Sequence, residues 1–403
     1  MSLLSIAEAQ TRLLADVKAM PVEAVRLEDA NGRTLAEDLF ALRTQPPFSA
    51  SAMDGYAART DDVAEPPVDL KVIGTAAAGH GFDGSVGPGE AVRIFTGAPV
   101  PPGADTIVIQ ENTLREPDSD TVTVTEPARV DQFIRPAGLD FALGQKLLKT
   151  GRRLGYRELA LAAAMNYGVV RVRHRPVVAI LATGDELVPA GGNPGPDQII
   201  ASNSHGVAAI VADLGAIPFD LGIASDTIES ISAAIRRARD AKADILVTLG
   251  GVSVGDHDLV RDALGENDFQ MGFWRIAMRP GKPLMFGNSG PMKVLGLPGN
   301  PVSSLVCSLL FLAPLIRSML GVDKPFAHEE TAVLGADVKE NDLRQDYLRA
   351  TLDVDANGRT VATPRELQDS SLLAMMAGAE ALLIRPPHAP AAEAGSPCKI
   401  IRL

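Results

Sequence analysis

The chain has 403 residues, more than one hydrophobic core usually organises, so two to four domains are expected. With 46% apolar and 22% charged residues it reads as an ordinary globular protein, and a net charge of -12 argues against a nucleic-acid partner, which would need a strong local basic face. Any anionic ligand must be held by a local site and not by the overall field.

Ser5-Ile-Ala-Glu8 has the form of a capping box, and Ile6, Leu13, Leu14 and Val17 recur at helical spacing up to a stop at Pro21, which predicts a helix from Ser5 to about Met20. The same stretch lacks the basic leader and sustained apolar core of an export signal. From about Ser49 to Val130 the pattern turns to short β-rich runs, Leu70–Ile73, Ala91–Phe95, Thr106–Ile109 and Thr121–Val124, broken by Gly, Pro and Asp turns. Tyr156–Met165 is helical again and is expected to pack with the first helix, which would make the β region an insertion.

From Arg175 to about Gly321 apolar strands alternate with helices: strands at Pro176–Ala182, Ile217–Leu221, Asp244–Leu249, Phe273–Met278 and Lys293–Leu297, and helices at Ser204–Leu214, Thr227–Ala241 and Val302–Met319. That rhythm predicts a doubly wound α/β domain with helices on both faces of a parallel sheet. The longest apolar run, Leu305–Ile316, is broken by Pro314 and followed by Arg317, and is too short to cross a bilayer. After Thr331 the chain returns to strands, at Tyr347–Leu352, Thr360–Thr363, Ala381–Ile384 and Lys399–Leu403. The fold class is α/β plus β, divided as 1–48 with 139–174, an inserted β domain 49–138, an α/β domain 175–325 and a C-terminal β domain 326–403. Cys307 and Cys398 are the only cysteines; Cys307 sits in an apolar helical pattern and reads as a buried free thiol, in keeping with a reducing cytoplasm.

Ligands of open α/β sheets bind beyond the carboxyl ends of the strands. Four loops fall there: Thr183-Gly-Asp-Glu186, Gly250-Gly-Val-Ser-Val-Gly-Asp-His-Asp258, Arg279-Pro-Gly-Lys282 and Pro298-Gly-Asn-Pro301. Any one of them alone reads as a plain turn; four at one edge point to a ligand. Glycines let backbone N–H groups approach it, and Asn300-Pro301 has the form of an N-cap followed by proline at the first helical position, which would offer a helix N-terminus to a phosphate. Asp185, Glu186, Asp256 and Asp258 add carboxylates of the kind that hold magnesium against phosphate oxygens. Phosphate plus a divalent metal is the economical reading.

Two other motifs compete. Gly79-His-Gly-Phe-Asp-Gly84 spells a dinucleotide fingerprint but has no helix after it to receive a pyrophosphate, so it reads as a loop of the β domain. Gly251-Val-Ser-Val-Gly255 spells a nucleophile elbow, which keeps a serine hydrolase as the alternative, although the downstream histidines His257, His328 and His388 offer no evident triad. Ser253 is better read as a donor to phosphate. No Walker A sequence and no zinc spacing is present.

Taken in order, Ser51-Ala-Met-Asp-Gly-Tyr-Ala57, Arg93-Ile-Phe-Thr-Gly-Ala-Pro-Val-Pro-Pro-Gly-Ala-Asp105, Arg135-Pro-Ala-Gly-Leu-Asp140, Thr183-Gly-Asp-Glu-Leu187, Gly250-Gly-Val-Ser-Val-Gly-Asp256, Arg279-Pro-Gly-Lys-Pro283 and Leu297-Pro-Gly-Asn-Pro-Val302 resemble the molybdopterin molybdenumtransferase family, which includes the bacterial MoeA proteins and the gephyrin E domain. The resemblance implies an elongated four-part protomer and a homodimer whose cleft the partner chain completes. It also implies an enzyme that takes adenylylated molybdopterin, delivered by an adenylyltransferase, and molybdate, hydrolyses the adenylate with Mg2+, and releases AMP and molybdenum cofactor.

By the same resemblance Asp54, Asp140, Glu186 and Asp256 form the acidic catalytic set, with Glu186 and Asp256 as metal ligands. Thr96, Thr183, Gly184, Asp185, Gly250, Gly251, Ser253, Gly255, Pro298 and Asn300 bind the pterin phosphate and adenylate. Arg279, Lys282, Arg349, Ser370 and Ser371 bind molybdate. His257 stands where the pattern leads one to expect tyrosine, Arg279 where it can have lysine, and Gln368-Asp-Ser-Ser-Leu372 matches more loosely. A gephyrin-like scaffolding role is the second alternative; it calls for further N-terminal domains. The two subsites require opposite charge. An arginine and a lysine on a rigid Pro-Gly turn suit a dianion, and carboxylates at the phosphate end suit magnesium.

Overall fold

A computed structural model describes residues 3–117, 119–251, 259–265 and 269–403. The first helix, Ile6–Leu14, begins as expected: Ser5 Oγ accepts from Glu8 N at 3.2 Å. Glu8 does not return the bond, pairing instead with Arg12 one turn on at 2.6 Å, so only half of the capping box forms. The helix also ends earlier than Met20, whose N–H is taken by the Met319 carbonyl at 2.7 Å.

Its buried stripe, Ile6, Ala9 and Leu13, packs into the core that contains Phe311, Leu315 and Met278. The expected pairing with the helix Tyr156–Ala164 is therefore corrected. That second helix sits in a separate core with Leu35, Leu39, Phe141, Leu148 and Leu154. Periodicity specifies that a helix has an apolar face; the partner of that face is a tertiary matter.

The chain around that second core is held by antiparallel pairs, Val22–Arg26 with Val169–Arg173 and Leu39–Phe40 with Lys146–Leu148. Between them lies a six-stranded sheet in the order Thr106–Ile109, Gly55–Ala58, Glu90–Ile94, Val68–Ala76, Thr121–Val124, Thr113–Leu114. Gly55 opens its second strand against the neighbouring backbone: a Cβ there would lie 2.0 Å from the Val108 carbonyl oxygen. The Asp54-Gly55 pair thus marks a close backbone approach that no side chain tolerates.

The α/β sheet runs Ile217–Ala224, Val177–Thr183, Ile245–Leu249, Met292–Leu297, all parallel, then Met285–Ser289, antiparallel to them, and Phe269–Trp274, antiparallel to Met285–Ser289 and so aligned with the first four. The sheet is mixed because Gly290, at φ +59°, turns a hairpin at its edge. Alternate residues feed the two faces: Val178, Ile180 and Val247 face the helices Asn203–Asp213 and Pro301–Met319, while Ala179, Leu181 and Leu246 face Ile228–Asp240 and Leu259–Gly265.

The helix Pro301–Met319 contains a π turn over Ser308–Leu312. It is the one helix among the described residues long and apolar enough to cross a membrane by length and composition, and 78% of that window is buried inside the protein. It is a core helix.

The expected strand Phe273–Met278 is split. Arg275, at φ +70°, turns the chain out of the α/β sheet, and Met278–Arg279 instead joins the C-terminal sheet, parallel to Gln345–Asp346. That sheet continues through Gln345–Val354, Thr360–Pro364, Glu330–Leu334, Pro397–Arg402 and Ala381–Arg385, whose last strand pairs back onto Gln345–Val354. It closes on itself around Leu334, Ala350, Leu383 and Ile400.

Candidate functional site

A cleft of about 740 Å³ opens at the carboxyl edge of the parallel strands, where such sheets hold their ligands. Of the residues singled out from the sequence, Thr183, Gly184, Glu186, Gly250, Gly251, Pro298, Asn300 and Ser371 line it. Gly250 and Gly251 have φ of +97° and +67°, and a Cβ on Gly251 would come within 2.3 Å of Val260 Cγ2. Only glycine lets this turn lie flat on the cleft floor. Beside it the Thr183 hydroxyl is buried with no hydrogen-bond partner among the described residues, although most buried polar groups in proteins have one. Ser253, Gly255 and Asp256 lie outside the described residues.

The fourth loop is braced from two sides. Asn203 Nδ2 donates to the Gly299 carbonyl at 2.7 Å, and Asn300 Nδ2 donates to Ser370 Oγ at 2.9 Å. Asn300 is the N-cap residue, yet its side chain makes no capping bond. Its amide reaches across to the C-terminal domain and leaves the start of a long helix facing the cleft, where the helix dipole favours an anion. Asp185 points elsewhere: its Oδ1 accepts from Asp226 N at 3.0 Å, and it lines a neighbouring cavity of about 630 Å³.

Sequence reading missed Asp226 and Asn203, both of which line the main cleft. Asp226 follows the carboxyl end of Ile217–Ala224, so the rule that exposed the other loops would have found it. Asn203 carries no such signal.

The C-terminal domain meets this cleft through residues 368–371. Val302 N donates to the Ser370 carbonyl at 3.0 Å, and Ser371 N and Oγ both donate to Asp369 Oδ1, at 2.8 and 2.6 Å, holding that carboxyl below its ordinary range. Beneath them Arg349 is 1% exposed. One of its terminal nitrogens donates to the Asp369 carbonyl at 3.0 Å, its Nε has no partner, and burial lowers its pKa. A guanidinium this deep normally pairs with a carboxylate; this one makes no ion pair among the described residues, with the Asp369 carboxylate acting on it only through space.

Lys282 is exposed, next to the cleft residue Pro283, and no ion-pair partner for it occurs among the described residues. Arg279 is differently placed. It donates through Nε to Asp346 Oδ1 at 2.9 Å and through a terminal nitrogen to Asp346 Oδ2, and the Asp346 hydrogen bond raises its pKa.

Asp54, Thr96 and Asp140 do not line this cleft. Asp54 sits at the rim of the inserted sheet, where its Oδ1 accepts from Thr96 N at 2.7 Å and Thr96 Oγ1 at 2.8 Å, contacts that with the nearby Arg93 keep its carboxyl below the usual range. Asp140 is exposed. Among the described residues no group of three or more His, Cys, Asp and Glu side chains is placed to hold a metal ion.

Residues 4–166 match the MoeA N-terminal region (domain I and II), 179–318 a probable molybdopterin binding domain, and 331–403 the MoeA C-terminal region (domain IV). A molybdopterin molybdenumtransferase of Nostoc sp. is 38% identical over 82% of this chain and 77% of its own length. The chain belongs to the molybdopterin molybdenumtransferase family. The family's enzyme from Bacillus subtilis is 34% identical over 98% of this chain and 93% of its own. The solved structure of a molybdopterin biosynthesis MoeA protein from Pyrococcus horikoshii superposes with a TM-score of 0.84 at 26% identity, covering 100% of both chains. The order of domains is that of the family, and the segment that spelled a nucleophile elbow falls within the molybdopterin-binding match, so the hydrolase alternative lapses.

Proposed function

We propose that the chain is a molybdopterin molybdenumtransferase acting in the cytoplasm, inserting molybdate into adenylylated molybdopterin with hydrolysis of the adenylate and release of AMP. The observation that carries the assignment of subsites is Arg349: a buried guanidinium with an unpartnered Nε, beside a loop hydrogen-bonded to the mouth of a phosphate-type cleft. The cleft offers neutral donors, Thr183 Oγ1 and the start of the helix at Pro301, which suit a phosphate. The arginine and Lys282 offer full charge, which suits a tetrahedral dianion.

The pterin phosphate lies along Gly250–Gly251 and Asn300, and molybdate is held by Lys282, Arg349 and the Ser370 hydroxyl, that of Ser371 being given to Asp369. Glu186 and Asp226 both line the cleft; these are hard oxygen donors of the type Mg2+ takes, two of them in keeping with an ion that retains water and substrate oxygens. Bound there, Mg2+ would neutralise phosphate charge. A further carboxylate comes with Asp256.

Asp54 and Asp140 reach the cleft from a second copy of the chain. Exposed apolar side chains flank both, Met53 and Phe95 near the first, Leu139 and Leu143 near the second, the last two 61% and 67% exposed. Such a cluster is the kind of surface that a homodimer covers.

Charge-assisted bonds to an oxyanion are worth about 1.5–3 kcal/mol each. Lys282→Ala should therefore weaken molybdate binding roughly ten- to a hundredfold while the pterin adenylate binds nearly as before. Calorimetric titration of each ligand, with chromatography of AMP released in the presence of magnesium, tests this. Equal losses for both ligands, or no loss for molybdate, would refute the division into two subsites.

A further inference from the structure

Arg279 and Arg349 stand on adjacent strands of the closed C-terminal sheet, yet their charges are disposed in opposite ways. Arg279 is paired in register with Asp346, and that carboxylate, 4% exposed, grips its guanidinium at two points. Asn341 Oδ1 accepts from it at 3.3 Å, and Asp342 Oδ2 lies 3.7 Å away. Asn341 is itself fixed, its Nδ2 bonded to the Arg344, Arg385 and Pro386 carbonyls at 2.8, 3.0 and 2.9 Å. Nε and one terminal nitrogen of Arg279 are thus committed to acceptors of the protein, and the other terminal nitrogen lies beside the Asp342 carboxylate.

Three residues further along the turn is Lys282. Its carbonyl accepts from Ile276 N at 3.1 Å and Leu284 N at 3.2 Å, so the backbone is pinned while the ammonium has no ion-pair partner among the described residues. Three residues beyond Asp346 on the same strand is Arg349, buried with Nε unpartnered. One ion pair therefore joins the turn that carries Lys282 to the strand that carries Arg349.

We propose that Arg279 is not a molybdate ligand, and that Arg279 and Asp346 form a positioning pair which sets Lys282 and Arg349 at the spacing one oxyanion requires. This rests on the two-subsite reading above. Removing a negative charge beside an anion site should by Coulomb's law favour the anion. The positioning role makes the opposite demand, so the sign of one substitution decides.

Molybdate affinity, measured by calorimetry on the full chain, should fall about tenfold in Asp346→Asn and by a similar factor in Arg279→Gln. The double variant should lose no more than either single, because both break the same pair. Arg279→Lys, which keeps the charge pair, should stay within about threefold of wild type, and nucleotide affinity should hold throughout. In a Lys282→Ala background the effect of either substitution should shrink to less than about threefold, a result that general destabilisation would not produce.

Unchanged or tighter molybdate binding in Asp346→Asn, with loss in Arg279→Gln, would overturn the proposal and return Arg279 to the ligand set. Should Asp346→Asn not fold, Arg279→Gln with and without Lys282→Ala still decides: a loss that adds in full to that of Lys282→Ala marks a ligand. If Lys282→Ala alone costs nothing, it is the two-subsite reading that fails and not the pairing.

Discussion

The cleft at the parallel sheet and the edge of the C-terminal sheet are built on different principles. The cleft floor is backbone: glycines at positive φ, an orphaned threonine hydroxyl and the start of a helix. The sheet edge is side chain: two arginines and a lysine, one cation neutralised by carboxylates and one buried with its Nε unpartnered. A backbone site is insensitive to most substitutions and carries little net charge; a side-chain site can be switched off by one residue. Nucleotide affinity and oxyanion affinity should therefore respond to different changes.

The largest effect should come from Arg349→Met. Replacing an underpaired buried cation with an apolar side chain of similar length is often neutral or stabilising, so the melting temperature should hold or rise while molybdate affinity falls about a hundredfold or more. A loss of stability in parallel with affinity would mean that Arg349 serves the fold and not the ligand.

Next is Asp54→Ala, expected to lower AMP release at least tenfold with little change in melting temperature, since a turn carboxylate at the rim adds little to the fold. Mixed dimers of Asp54→Ala with Glu186→Ala should regain part of the activity through one intact cleft. No recovery in a confirmed heterodimer would sink the shared-cleft reading.

The smallest effect concerns Asp342, whose carboxyl is drawn down to about 2 by hydrogen bonds from Arg344. A depressed carboxyl stabilises the fold above its unfolded value, near 3.9, and that stabilisation is lost as pH falls through the folded value. The gap in melting temperature between wild type and Asp342→Asn should be constant above about pH 5 and close between about pH 4 and pH 2. A gap that closes near neutrality would implicate a different group.

Much of the cleft could be read in advance because its signals are local: a strand, then glycine, then a polar residue that can only face the edge. Thr183, Gly250 and Asn300 were found that way. Arg279 was located correctly in the chain but not in its surroundings, since its partner Asp346 lies 67 residues away and nothing in either segment advertises the other. The helix Ile6–Leu14 failed for the same reason. Its stripe was plain, but its partner is the helix at Pro301–Met319 at the far end of the α/β domain. The split at Arg275 was hidden because an arginine at positive φ leaves no mark in a sequence where glycine would have done so.

The chain enters and leaves the inserted sheet side by side. Phe40 faces Lys146 across one step of an antiparallel ladder, and Val22–Arg26 lies against Val169–Arg173 below it. Neighbouring strands are about 4.8 Å apart, a gap that a hairpin turn of about two to five residues closes. The whole block between these points is thus a cassette. It could be cut out and the ends rejoined, or exchanged for another module, without disturbing the parallel sheet.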